Sequence, residues 1–268
     1  MKCLPLNRKK YCTNNLNIGG NLAGGICGRN AFKNNTSVSN KISMCSNIGN
    51  IINGTSDWKI AGMGGICGSS CANTGNLLIE YCYNTGLLNC NGAGGIVGGK
   101  SCDTSGNLTI QYCYNICSVD VGSFNGIGGI AGHNTAFGGD VNIYNCYSNY
   151  NGGVDSCGGI IGQQWKNESG TINISNCYFM GDFSGNKCGA ICGARTVTDN
   201  SGTNSSVTMT NCYYIRASSS VDDLNAYGGS NDTNFAITNF MSSIGWSDDI
   251  AFGTIAQEAL GSNNTELM

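Results

Sequence analysis

An all-β fold, a single-stranded β-solenoid, is predicted for this chain of 268 residues by three observations. A two-part unit recurs with a period of about thirty residues. Within each unit, apolar residues alternate over short stretches bounded by turn residues. The composition, with Gly 42, Pro 1 and 11% charged residues, suits short strands and tight turns whose backbone ladders are almost never interrupted by proline.

The first part of the unit is a Gly-Gly-Ile-x-Gly block, at Gly25-Ile26-Cys27-Gly28 and again at Gly65-Ile66-Cys67-Gly68, Gly95-Ile96-Val97-Gly98, Gly129-Ile130-Ala131-Gly132, Gly159-Ile160-Ile161-Gly162 and Ala190-Ile191-Cys192-Gly193. Its isoleucines, Ile26, Ile66, Ile96, Ile130, Ile160 and Ile191, are expected in the core. The second part is an apolar-x-x-Cys step that brings Cys45, Cys82, Cys113, Cys146, Cys177 and Cys212 into one column, with Cys12 in an incomplete first copy. The apolar alternation of Leu108-x-Ile110, Val141-x-Ile143, Ile172-x-Ile174 and Val207-x-Met209 is that of strands with one buried face. Asn84-Thr85-Gly86, Ser105-Gly106-Asn107 and Gly138-Gly139-Asp140 read as the turns between them. A unit this small cannot bury its own apolar face and gains that burial by stacking on its neighbours. About six coils at the sheet spacing of ~4.8 Å make a rod of roughly 30 Å. A propeller blade needs about forty residues in four strands, longer than this period.

The repeats fill residues 1-215, and 216-268 are read as a capping segment. There Ile237, Phe240, Met241 and Ile244 fall at helical spacing, suiting a short amphipathic helix that covers the last coil. Because the chain opens inside a repeat and lacks a signal-peptide pattern, it is expected to be part of a larger chain. No apolar run approaches the roughly 18 residues of a membrane helix, so no membrane insertion is expected. A net charge of −3, thinly spread, disfavours nucleic acid as a partner.

Seventeen cysteines cannot all pair within the chain. Cys27, Cys67 and Cys192 alternate in their column with Val97, Ala131 and Ile161, which marks a packing position. For the major column, coils ~4.8 Å apart lie within disulfide reach. Parallel side chains and the dihedral a disulfide requires nevertheless favour free buried thiols there. The Cys-x-x-x-Cys spacings fall at unlike places in the repeat and His133, the one histidine, has no ligand-spaced partner, so neither metal nor cofactor is expected.

The repeat, with Gly-Gly-Ile-Val-Gly coupled to Asn145-Cys146-Tyr147, Asn176-Cys177-Tyr178 and Asn211-Cys212-Tyr213, resembles the GLUG motif of bacterial surface and secreted proteins. The resemblance covers residues from about 11 to 215. It implies a right-handed β-helical stalk in an extracellular or cell-surface protein, near adhesin or peptidase modules, and it transfers no catalytic residue.

A non-enzymatic spacer or adhesin-like surface is therefore expected, with a glycan or a host or surface protein as partner. Binding is expected on the loops between the two parts of the unit, through Arg29, Lys100, His133, Phe137, Trp165 and Arg195. The alternative is a polysaccharide-active β-helix enzyme, a lyase or hydrolase using Asp residues on adjacent coils. Asp103, Asp120, Asp140, Asp155 and Asp182 are its candidates, but their offsets within the repeat do not form a clean stack.

Overall fold

A computed structural model describes residues 8–20, 22–34, 40–52, 62–119, 126–151, 157–164, 170–181, 189, 191–193, 206–210 and 212–216. The helix expected within 216-268 lies outside them, and no helix occurs among the described residues.

Strand pairing is parallel throughout, and partners come from successive repeats, which is the topology of a β-solenoid. The first sheet has seven strands, Arg8–Lys10, Asn40–Ser43, Asn76–Glu80, Asn107–Gln111, Asp140–Tyr144, Thr171–Ser175 and Ser206–Thr210, stacked in chain order. The second has Thr13–Asn14, Ser46–Asn47, Tyr83–Asn84, Tyr114–Ser118, Tyr147–Asn151, Tyr178–Gly181 and Tyr213–Arg216. A third has, among the described residues, Ile18–Gly19, Ile51–Ile52 and Leu88–Asn89, with Leu88 bridging on to Val119. The remaining side is closed by the Gly-Gly-Ile blocks, through parallel bridges that run Gly24, Gly64, Gly94, Gly128, Gly158, Gly189 and Cys27, Cys67, Val97, Ala131, Ile161, Cys192.

Alternation in the first sheet sends Leu77 and Ile79, Leu108 and Ile110, Val141 and Ile143, and Ile172 and Ile174 inward, where all are buried. They meet Ile66, Ile96, Ile130, Ile160 and Ile191 across one continuous core, with Ile26 half-buried at its edge.

The corner between the first two sheets is made by the residue before each column cysteine. Tyr11, Met44, Tyr81, Tyr112, Asn145 and Asn176 all hold a left-handed backbone, with φ between 51° and 56°. That conformation costs a non-glycine residue about 1 kcal/mol or more. It is kept because the corner N–H still joins the ladder, as in Met44 N to Glu80 O at 3.1 Å and Tyr81 N to Gln111 O at 3.2 Å.

Past the corner, an amide ladder runs through the interior. Asn14 donates from Nδ2 to Asn47 Oδ1 at 2.7 Å, Asn47 to Asn84 at 2.7 Å and Asn84 to Asn115 at 2.8 Å. The second amide hydrogen of Asn47 and of Asn84 goes to the carbonyl of the glycine two residues on, Gly49 and Gly86. Each buried amide is thereby paired on both sides, the condition under which an interior polar network is tolerated. The ladder stops where Ser148 replaces Asn in the next coil and Phe179 follows it. Asn84 is thus a buried strand residue rather than the turn residue expected from Asn84-Thr85-Gly86.

This ladder explains the second glycine of each pair, while the first, as at Gly64 and Gly94, is held by backbone of its own block and of the next coil. A Cβ on Gly65 would overlap the Asn84 side chain and the backbone of Gly95, and one on Gly95 would overlap Asn115 and Gly129. The Gly-Gly-Ile block and the Asn two residues past the column cysteine are two halves of one packing contact.

Candidate functional site

The thiol column faces inward. Cys45, Cys82, Cys113, Cys146, Cys177 and Cys212 are buried, while Cys12 is half-buried. Each buried thiol points at the carbonyl two residues back, from 3.2 Å for Cys82 to Glu80 and for Cys146 to Tyr144 up to 3.5 Å for Cys212 to Thr210. From Cys82 onward, each also lies near a carbonyl of the preceding coil, such as Ile110 O at 3.7 Å from Cys146 Sγ. All fifteen cysteines among the described residues are free thiols. Burial pushes Cys113 and Cys177 well above the ordinary thiol range and Cys90 and Cys117 up to about 12, so these sulfurs are neutral packing groups. Among the described residues no three His, Cys, Asp or Glu side chains converge as metal ligands.

The loop residues expected to bind are not brought together. Arg29 is exposed in the first coil, Lys100 is half-buried in the third, and Phe137 is 41% exposed in the fourth. Trp165 and Arg195 lie outside the described residues. His133 is a correction, being buried rather than on the surface. Its ring fills the space left by Gly92 and Gly99, with Nδ1 3.3 Å from Gly92 O. These loop segments also do not diverge as free loops. They stack with ladder-like bonds, Asn30 N to Ser69 O, Ser70 N to Gly99 O, Lys100 N to His133 O and Asn134 N to Gln163 O, all near 3.0 Å.

Of the acidic candidates, Asp120, Asp155 and Asp182 lie outside the described residues. Asp140 accepts hydrogen bonds from the backbone N–H and the hydroxyl of Thr171 in the next coil, so it caps a strand rather than facing a second acid.

The polar and aromatic side chains that do converge lie on the outer face of the first sheet. Its outward columns are Lys41, Leu78, Thr109, Asn142, Asn173 and, beside them, Ser43, Glu80, Gln111, Tyr144, Ser175. The left-handed corner supplies a third column, Tyr11, Met44, Tyr81, Tyr112, Asn145, Asn176. Tyr81 and Tyr112 stack with ring centroids 5.1 Å apart and planes 12° from parallel, and Tyr112 is 38% exposed.

Beyond the tyrosines the face becomes a lattice of amides. Asn173 donates to Asn142 at 2.9 Å, Tyr144 OH to the same Asn142 oxygen at 2.8 Å, and Asn176 to Asn145 at 3.1 Å. At the other end Glu80 ion-pairs with Lys41 and accepts from Gln111 Nε2 at 3.1 Å. Lys9, Lys10, Lys41, Ser43, Met44 and Glu80 line a cavity of about 250 Å³ there. Lys10 Nζ stands 4.5 Å from the Tyr11 ring centroid, a cation–π contact. Burial, and then the Glu80 charge, raise the Tyr81 phenol, which stays a neutral donor.

This face was missed in the sequence because its residues belong to the strands and corners of the repeat, where each reads as scaffold. The available signal was Tyr at 81 and 112 in one alignment column. The class defined by fold and face is a parallel β-solenoid with an aromatic and amide platform along one sheet. No known protein family, curated protein or solved structure matches the chain.

Proposed function

We propose that this chain is a non-enzymatic repeat region of an extracellular or cell-surface protein, a spacer whose first sheet is an adhesin-like surface for glycans. The observation that carries the reading is the stacked Tyr81–Tyr112 pair at the corner of the first sheet, with Tyr81 half-buried and Tyr112 exposed, beside Gln111, Asn142 and Tyr144. Stacked 5.1 Å apart, the two rings cover each other's inner faces, so their edges and phenol hydroxyls meet a sugar, beside fixed amides that orient its hydroxyl groups. The GLUG-like repeat supports the surface setting, and the right-handed winding and the helical cap over 216-268 belong to the same proposal.

Free thiols are ordinarily a mark of reducing compartments. Here the column thiols from Cys45 to Cys212 are buried among backbone carbonyls, out of reach of an external oxidant, so an oxidising exterior is compatible with them.

The alternative glycan-cleaving enzyme needs two carboxyl groups across one glycosidic bond. On the proposed face Glu80 is committed to Lys41 and Gln111, which favours binding over cleavage. The test is a glycan array with the full chain and with Tyr81→Ala and Tyr112→Ala, followed by mass analysis of any bound sugar. Binding that both substitutions abolish, with the sugar intact, is the expected result. A shortened sugar would replace this reading with the enzyme, and binding indifferent to both tyrosines would move the site elsewhere.

A further inference from the structure

We infer that the cavity at the Lys10 and Lys41 end of the platform seats the carboxylate of an acidic sugar, whose neutral neighbours then lie along Met44, Tyr81 and Tyr112. The inference rests on the glycan-binding reading and names the class of glycan.

Three observations carry it. First, the outward lysines Lys10 and Lys41 line the cavity against one carboxylate, Glu80, while Lys9 pairs in register with the inward Ile42, which leaves an excess of positive charge on a chain whose net charge is −3. The potential of this patch therefore opposes that of the molecule as a whole and selects an anion locally. Second, the positive charge is confined to one end. After Lys41 the outward column continues as Leu78, Thr109, Asn142 and Asn173, all neutral, and after Glu80 as Gln111, Tyr144 and Ser175. Among the described strands a polyanion charged along its length finds lysines on the first two rungs alone, whereas an oligosaccharide with a single acidic ring matches the face along all of them. Third, the cavity is continuous with the platform. Met44 lines it, and Tyr81 and Tyr112 follow Met44 in the same corner column. At ~4.8 Å per rung, the step from Met44 to Tyr112 spans about 10 Å, the reach of two linked sugar rings. A volume of about 250 Å³ is below that of a drug-sized pocket and suits one ring or less.

Glu80 gives the inference a signed consequence. Its carboxylate shares the cavity with the incoming anion, and like charges repel. Removing that charge frees Lys41 for the ligand.

The experiment measures binding of the full chain by calorimetry to sialyllactose, to its methyl ester, to lactose, to 3′-sulfated lactose and to triglutamate. The acid is expected to bind about tenfold or more tightly than its ester, which has the same shape without the charge, and to weaken steeply with salt. Lys41→Gln and Lys10→Gln should bring acid and ester together, and Glu80→Gln should tighten the acid severalfold while leaving the ester unchanged. Because acid and ester are compared on the unaltered protein, the outcome survives a variant that fails to fold.

Equal binding of acid and ester, with both lost in Tyr81→Ala, would overturn the acidic site and leave the platform standing. Binding of triglutamate as tight as that of sialyllactose would overturn it in favour of an acidic polypeptide. Tighter binding of the sulfated sugar would overturn the carboxylate in favour of sulfate. If no sugar binds here, a hit for a neutral glycan on the array refutes only the acidic site, and a silent array refutes the glycan reading as well.

Discussion

The side-chain amide of Asn47 donates to Oδ1 of Asn84 at 2.7 Å, and that of Asn84 to Oδ1 of Asn115 at 2.8 Å, beside a core built mostly of aliphatic side chains and thiols. Parallel stacking makes such a ladder possible, because equivalent residues of successive coils stand one above another with the same orientation. It also couples the coils, since removing one rung strands a donor below and an acceptor above.

Asn84→Leu is accordingly expected to destabilise the protein by about 2–4 kcal/mol, from the two polar groups left unpaired in the core. Urea denaturation compared with Thr85→Ala, at an exposed neighbour, checks this. A cost for Asn84→Leu no larger than the control's would mean that the ladder contributes nothing.

Gly65→Ala should be worse than its single methyl group suggests. The Cβ would collide with the Asn84 side chain and with the Gly95 backbone, neither of which has room to retreat. A loss of about 3 kcal/mol or more, or no folded protein, is expected by far-UV circular dichroism and thermal melting. Gly28→Ala, where no atom lies within 4 Å of the added methyl, should melt close to the parent.

His133 gives the fold an acid limit. Burial is the main cause that lowers its pKa to about 4, against about 6.5 in the unfolded chain. The unfolded state therefore takes up the proton first, and stability falls as pH drops from about 6.5 towards 4, by about 3 kcal/mol in all. Since His133 is the single histidine, comparing His133→Asn with the parent across this window isolates its share. Parallel stability curves for the two proteins would refute the assignment.

Thiol reactivity should follow burial. A hydrogen bond from Cys67 holds the half-buried Cys27 below the ordinary thiol range, while Cys113 and Cys177 are buried and pushed up. Brief alkylation of the folded protein, mapped by peptide mass spectrometry, should modify Cys27 ahead of both, and all three should react in denaturant. Labelling of Cys113 as fast as Cys27 in the folded state would contradict the inward column.

Much of this was written in the repeat. The period, the alternation of Leu108-x-Ile110 and the exchange of Cys27, Cys67 and Cys192 with Val97, Ala131 and Ile161 specify stacked coils and an inward column, because side-chain alternation in a strand is fixed by backbone geometry alone. The site was less legible. His133, in a loop beside Gly132, reads as exposed until the neighbouring coil shows that Gly92 and Gly99 leave a space its ring fills. Asn84 reads as a turn residue until its partners, 37 and 31 residues away in the chain, are in place.

By itself, then, the sequence determined the all-β solenoid, its repeating unit and the columns that face its core. Those follow from local periodicity repeated often enough to leave one way of stacking. Only the tertiary structure decided that a left-handed corner turns Tyr81 and Tyr112 outward as a stacked pair, that Lys10 and Lys41 share one cavity, and that an asparagine ladder leaves no room for a side chain on Gly65 and Gly95. Each of these is a relation between different coils, set by the register in which the coils stack.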